Sequence, residues 1–146
     1  MTEKTVATIL AELESAHAGY MAELKQAGNV WEAKPAAGEG EEAWSARQVA
    51  EHIAGANLFF GAGVAGAIGV TPPGLERVAL ASAADATAKT AETHAAFAGV
   101  AAKVSDSQLA MEHEFPRLGK QTIGGILDIV AHHYEDHANQ LKTLRG

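Results

Sequence analysis

Along most of the chain apolar residues recur three and four positions apart, with little strict alternation, a pattern that predicts helices. Four long ones are expected. The first, about residues 3–27, carries Val6, Ile9, Leu10, Leu13, Tyr20 and Leu24 on one side and stops at Gly28-Asn29, a common C-terminal signal. The second opens with a capping box, Ser45 to Gln48, in which the serine hydroxyl and the glutamine side chain each satisfy an orphan backbone N–H, and it runs to about residue 68. After TPPG, which breaks any helix, the alanine-rich stretch from about Ser82 to Lys103 makes the third. The fourth is capped by Thr122 and runs to about Arg145. The loop VWEAKPAAGEGEEAW separates the first two helices. A polar stretch, SDSQLAMEHEFPRLGKQ, precedes the last, with a short hairpin expected around Pro116 to Gly119. The fold class is all-α, a four-helix bundle, and 146 residues fit a single domain spanning 1–146 with a core of its own.

The fourth helix contains AHHYEDHANQL, residues 131–141, with three histidines in six positions. A helix turns by ~100° per residue, so His133 and His137, four apart, lie within ~40° of each other and share a face. They fall on the stripe Ile123, Ile126, Val130, His133, His137, Leu141 and Leu144, which has the spacing of a bundle interior. His132 sits ~140° from His137 and is expected to point away. Two buried imidazoles need partners for four ring nitrogens, and an apolar core offers few, whereas a metal ion satisfies both rings at once. A transition-metal site needs a third donor from another helix. The best candidate is His52, on the stripe Val49, His52, Ala56 and Phe59 or Phe60 of the second helix. Spacing alone leaves that third ligand open, and a hydrogen-bonded cluster without metal is the competing reading.

Other residues weigh less. His17, after Leu10 and Leu13 on the first helix, reads as a half-buried rim residue, with pocket lining or proton transfer as its functional alternative. Tyr20 reads as core with its hydroxyl at the edge, site lining being the alternative. His94 and His113 are expected to be solvated. Trp31 and Trp44 flank the acidic loop and are expected to close one end of the bundle. GAGVAG, residues 61–66, fits G-x-G-x-x-G but lies in an amphipathic helix, not between a strand and a helix, so close helix packing explains it better than phosphate binding. Neither histidine motif puts a carboxylate base on the His133/His137 face, since Asp128, Glu135 and Asp136 point elsewhere on the wheel.

Composition removes several function classes. There is no cysteine, so disulfides, thiolate ligands and a cysteine nucleophile are excluded, and any thiol must arrive with a ligand. A net charge of -7 without a basic stripe argues against nucleic acid as a partner. No apolar run approaches the ~18 residues that span a bilayer, and MTEKTVATIL lacks the features of a signal peptide, so a cytoplasmic protein with no membrane partner is expected.

WSARQVAEHIAGAN and HYEDHANQLKTLR resemble the second- and fourth-helix patterns of the DinB-like (YfiT-like) family. In the first a histidine follows the tryptophan by eight residues; in the second HxxxH is followed by a glutamine and an apolar residue. The order and separation of the two motifs, together with the four helices, cover nearly the whole chain. The resemblance implies up-down-down-up topology with helices two and four antiparallel. It also implies a divalent ion near one end of the bundle, held by His52 from helix two and by His133 and His137 from helix four; nothing in the pattern requires His132. Characterised relatives include S-transferases and isomerases that use low-molecular-weight thiols such as mycothiol or bacillithiol, while many members have no assigned reaction. The expected function is therefore that of a metal-dependent thiol S-transferase or related isomerase, with zinc or nickel as the ion and a thiol and a small-molecule electrophile as partners. A metal-dependent hydrolase is one alternative. The other is a non-catalytic metal-binding or structural module that dimerises through small-residue faces such as the alanine-rich third helix, and a homodimer is the expected assembly.

Overall fold

A computed structural model describes residues 4–35, 38 and 40–146. The expected helix start at residue 3 and loop positions 36, 37 and 39 lie outside the described residues. Four helices carry the fold: α1 (Val6–Lys25), α2 (Ala46–Ile68), α3 (Ala83–Ala101) and α4 (Ile123–Arg145). Each starts at a hydroxyl side chain that accepts an orphan N–H of the first turn, at Thr5, Ser45, Ser82 and Thr122. Ser45 and Gln48 complete the capping box in both directions. Helix α2 ends at Gly69, whose φ of 74° is the left-handed conformation that a glycine reaches without steric cost. The hairpin is present as antiparallel strands β1 (Glu112–Phe115) and β2 (Gly119–Thr122), with Phe115 opposite Gly119.

In cross-section α1 packs on α3 and α4, and α2 packs on the same two helices, so α1 and α2 stand diagonally across the bundle. Lys4, just before α1, pairs with Asp128 early in α4, and Glu23 near the end of α1 pairs with Arg145 at the end of α4, so α1 and α4 run the same way. Asn57 meets Thr93, and Gly61 lies against Phe97, so α2 and α3 also run parallel. His52 meets His137 while Phe60 meets His133, which sets α2 antiparallel to α4. The rings of Tyr20, Tyr134 and Phe97 and the side chains of Leu13, Ile53 and Ile126 are almost wholly enclosed between the four helices. Among the described residues no helix is long and apolar enough to cross a membrane.

The buried arc of α2 differs from expectation. Val49, Ile53, Asn57, Phe60 and Val64 form it, while His52, Ala56 and Phe59 are only half-buried along its flank. Because α2 contacts both α3 and α4, its apolar arc is wide, and the Val49–His52–Ala56 line is the edge facing α4 instead of the centre. That edge position lets His52 meet α4 and still line a cleft open to solvent. GAGVAG lies within α2, and a Cβ at Gly61 would come 3.1 Å from Pro73 Cγ and 3.7 Å from Phe97 Cα; close packing explains this glycine, with no strand before it.

Candidate metal centre

His52, His133 and His137 converge between α2 and α4. One ring nitrogen of each lies within 4.8 Å of the others, and among the described residues they form the one histidine and carboxylate group with metal-ligand spacing. The Nε2 atoms of His52 and His133 are 3.2 Å apart. Histidine–zinc bonds of 2.0–2.1 Å at a tetrahedral angle put two ligand nitrogens ~3.3 Å apart, so this pair already has the separation that an ion requires. His137 closes the triangle, its ring centroid 5.3 Å from that of His52 and 4.8 Å from that of His133. Its Nδ1–H donates to Gln140 Oε1 at 2.7 Å, which leaves the Nε2 lone pair free. His132 is exposed, with Glu135 3.5 Å away, and points away as expected.

Protonation favours the same use. Burial, then the neighbouring rings of His137 and His52, push the His133 imidazolium down to about 4. His52 is lowered too, by burial first and then by His137, with Glu41 opposing. Both rings are therefore neutral at physiological pH and offer lone pairs. The donor set fits a borderline-soft divalent cation such as zinc or nickel.

The acidic loop supplies what α4 lacks. Glu41 places a carboxylate oxygen 3.9 Å from His52 Nε2, and its backbone oxygen accepts from the Gln140 side chain, so one glutamine ties loop, helix and His137 together. Trp44 closes over the rings, with its centroid 5.0 Å from His52 and nearly parallel to His137 at 6.3 Å, so it is a wall of the site. Clefts of about 420 and 460 Å³ adjoin the rings and share His133. The first is bounded by Glu41, Glu42, Asp136 and Gln140, the second by Phe59, Phe60 and the hairpin.

His17 and Tyr20 do not join this group. His17 stacks on His94 at 3.6 Å between centroids, and Tyr20 is buried against Tyr134 with its hydroxyl lacking a partner among the described residues. The expectation that His94 is solvated is wrong. It is 6% exposed, on the face of α3 that also buries Ala86, Thr90, Thr93 and Phe97. His113 is exposed on β1. His94 belongs to a hydrogen-bonded chain that crosses the bundle. A carboxylate can only accept, so His94 Nε2–H donates to Glu14 at 2.8 Å, and Nδ1 accepts the Tyr134 hydroxyl at 2.9 Å. Asn57 Nδ2 in turn donates to Tyr134 Oη at 2.8 Å and to Thr93 Oγ1 at 3.2 Å. Every polar atom named in this chain has a partner, which is how an apolar core tolerates it.

His17 makes stability depend on pH. Burial first, and then the His94 ring, push its imidazolium down to about 4, against the pull of Glu14. The unfolded chain takes up that proton near pH ~6.5, so between there and pH ~4 the unfolded state binds more protons and stability falls as the pH falls. The ring is half-buried, and screening leaves a contribution of about 1 kcal/mol. Urea unfolding of the metal-free His17→Phe protein should therefore lose about 1 kcal/mol less than the parent between about pH 7 and about pH 4.5. Equal losses would remove this account of His17.

A family model described as DinB superfamily matches residues 18–141, which contain α2, α3 and all three converging histidines. No curated protein and no solved structure matches the chain.

Proposed function

The chain belongs to the DinB superfamily, and from that premise we propose that it is a metal-dependent enzyme in which His52, His133 and His137 hold a zinc or nickel ion and a low-molecular-weight thiol such as mycothiol or bacillithiol attacks a small electrophile. The observation that carries this reading is the convergence of three ring nitrogens within 4.8 Å of one another, one of them on a ring whose tautomer is fixed by Gln140. A bound divalent ion supplies Lewis acidity that raises the thiolate fraction of a thiol at neutral pH. The chain's own groups do the rest. The absence of cysteine means that the sulfur comes with the substrate. Glu41, with its carboxylate 3.9 Å from His52 Nε2, takes the thiol proton while the sulfur bonds to the electrophilic carbon and the leaving group departs. Trp44 keeps water off the rings on the loop side. The reading sets the protein in the cytoplasm, where such thiols stay reduced.

The test begins with metal analysis of purified protein, followed by turnover of mycothiol and bacillithiol with 1-chloro-2,4-dinitrobenzene. Zinc- or nickel-loaded protein should exceed metal-free protein by about 10-fold or more, and chelation should remove the difference. Stoichiometric metal with no rate above the metal-free protein for any thiol would assign a binding or structural role instead. Turnover of an activated ester with water as nucleophile would assign a hydrolase.

A further inference from the structure

The cleft of about 460 Å³ between α2 and the hairpin has features that ion binding does not use. Its walls are Phe59, Phe60 and Leu118, with Gly55 and Ala56 leaving room between them, and it ends on His52 and His133. Two charged side chains line it, Glu51 and Arg117. The Glu51 carboxylate is already engaged, accepting the Leu80 backbone N–H at 2.8 Å and Arg47 Nε–H at 3.3 Å. Arg117 has no carboxylate partner among the described residues; the hairpin's ion pair joins Lys120 to Glu112, and the Arg117 guanidinium lies 5.8 Å from the Phe59 ring centroid.

The backbone under Arg117 is unusual in the same direction. Leu118 N–H donates to Phe115 O across a turn with Pro116 and Arg117 at its centre, and Arg117 has a φ of 67°. Among the described residues it is the one non-glycine residue in the left-handed region, at a turn position where glycine or asparagine is favoured. A left-handed position occupied by a large cation, where a glycine would relax the turn, fits a functional side chain. A guanidinium offers paired N–H donors that match an oxyanion. A lone guanidinium that shares its cleft with Glu51, in a chain of net charge -7, matches a carboxylate better than a dianionic phosphate.

We propose that Arg117 is the specificity residue of this site, binding the carboxylate of a small substrate whose apolar or planar part lies against Phe59 and Phe60 and whose reacting end reaches His52 and His133. This deepens the enzyme reading and rests on it for the identity of the reacting end. The carboxylate belongs either to the electrophile or to the thiol, and two probe pairs separate them.

The experiment is an NMR titration of metal-free protein, labelled to report the arginine Nε–H groups. The electrophile arm uses phenylacetate against phenylacetamide; the thiol arm uses N-acetylcysteine against its amide. In one arm the carboxylate should bind about 10-fold tighter than the amide and shift the Arg117 Nε–H signal. Arg117→Gln should abolish that preference and Arg117→Lys should restore part of it. Arg117→Gly, which suits the turn, should abolish it in a protein whose remaining spectrum is unchanged, separating charge loss from misfolding. No preference in either arm, or one that survives both Arg117→Gln and Arg117→Gly, overturns the proposal. A preference seen only after zinc loading and indifferent to Arg117 also overturns it, since the carboxylate then sits on the ion. Zinc stoichiometry on the same samples keeps the two readings apart. Wild-type protein that binds no zinc but keeps an Arg117-dependent preference would sink the metal centre alone.

Discussion

His137→Ala is expected to weaken zinc binding by about a hundredfold or more, with His52→Ala and His133→Ala doing the same, because removing any one of the three leaves two imidazoles. His132→Ala should leave affinity unchanged. The control is strict: His132 adjoins His133 in sequence, yet its side chain is 72% exposed and faces Glu135, while His137 is 4% exposed among the converging rings. Isothermal titration at neutral pH on the four variants gives the comparison. Circular dichroism without metal should show folded helices in His52→Ala, His133→Ala and His132→Ala, whose rings are half-buried or exposed, and it reads any loss of helix in His137→Ala, whose ring is buried. Zinc should raise the melting temperature of the parent and of His132→Ala, and of neither His52→Ala nor His137→Ala, because a ligand stabilises only the state that binds it. Loss of binding in His132→Ala with retention in His137→Ala would mean that the helical phase of α4 has been misread.

The helices and their starts were legible because caps and periodicity are local. Thr122 and the Ser45–Gln48 box need only three residues of sequence to act, and both do so in the structure. The placing of His133 against His137 is equally local, one helical turn. His52 depends on the relation of two helices, its partner His133 lying 81 residues away in sequence, and the family motif supplies what spacing leaves open. Tertiary placement hid the rest. Glu41 reaches His52 from the segment between α1 and α2, which has no helical periodicity to link it to the His133/His137 face of α4. The burial of His94 is hidden because alanine-rich α3 shows little contrast between its faces; Thr90, Thr93 and His94 are polar by type and buried by position. Tyr134 sits between the two ligand candidates of α4, but its helical phase turns it inward to His94 and Asn57, partners that lie 40 and 77 residues away in sequence.

Gln140 offers the second large effect, and its two halves can be separated. Its Oε1 accepts the His137 Nδ1–H, which holds the ring in the tautomer that exposes Nε2, and its amide nitrogen donates to the Glu41 backbone oxygen, which draws the acidic loop over the site. Gln140→Leu removes both contacts, and loss of such a supporting bond typically costs about 10–100-fold in metal affinity. Gln140→Glu keeps an acceptor for Nδ1–H and makes it anionic, which raises the basicity of the ring, but it turns a donor into a second oxygen facing the Glu41 carbonyl. Zinc affinity should therefore fall in Gln140→Leu and be held or strengthened in Gln140→Glu, while loop closure should be lost in both. Competition with a chromophoric chelator reads the first quantity. Fluorescence of a Trp31→Phe background reads the second, because Trp44 is then the sole indole and lies against His52 and His137. If Gln140→Glu loses zinc as badly as Gln140→Leu, the loop and not the tautomer of His137 sets the affinity, and Glu41 moves from supporting the site to holding the ion.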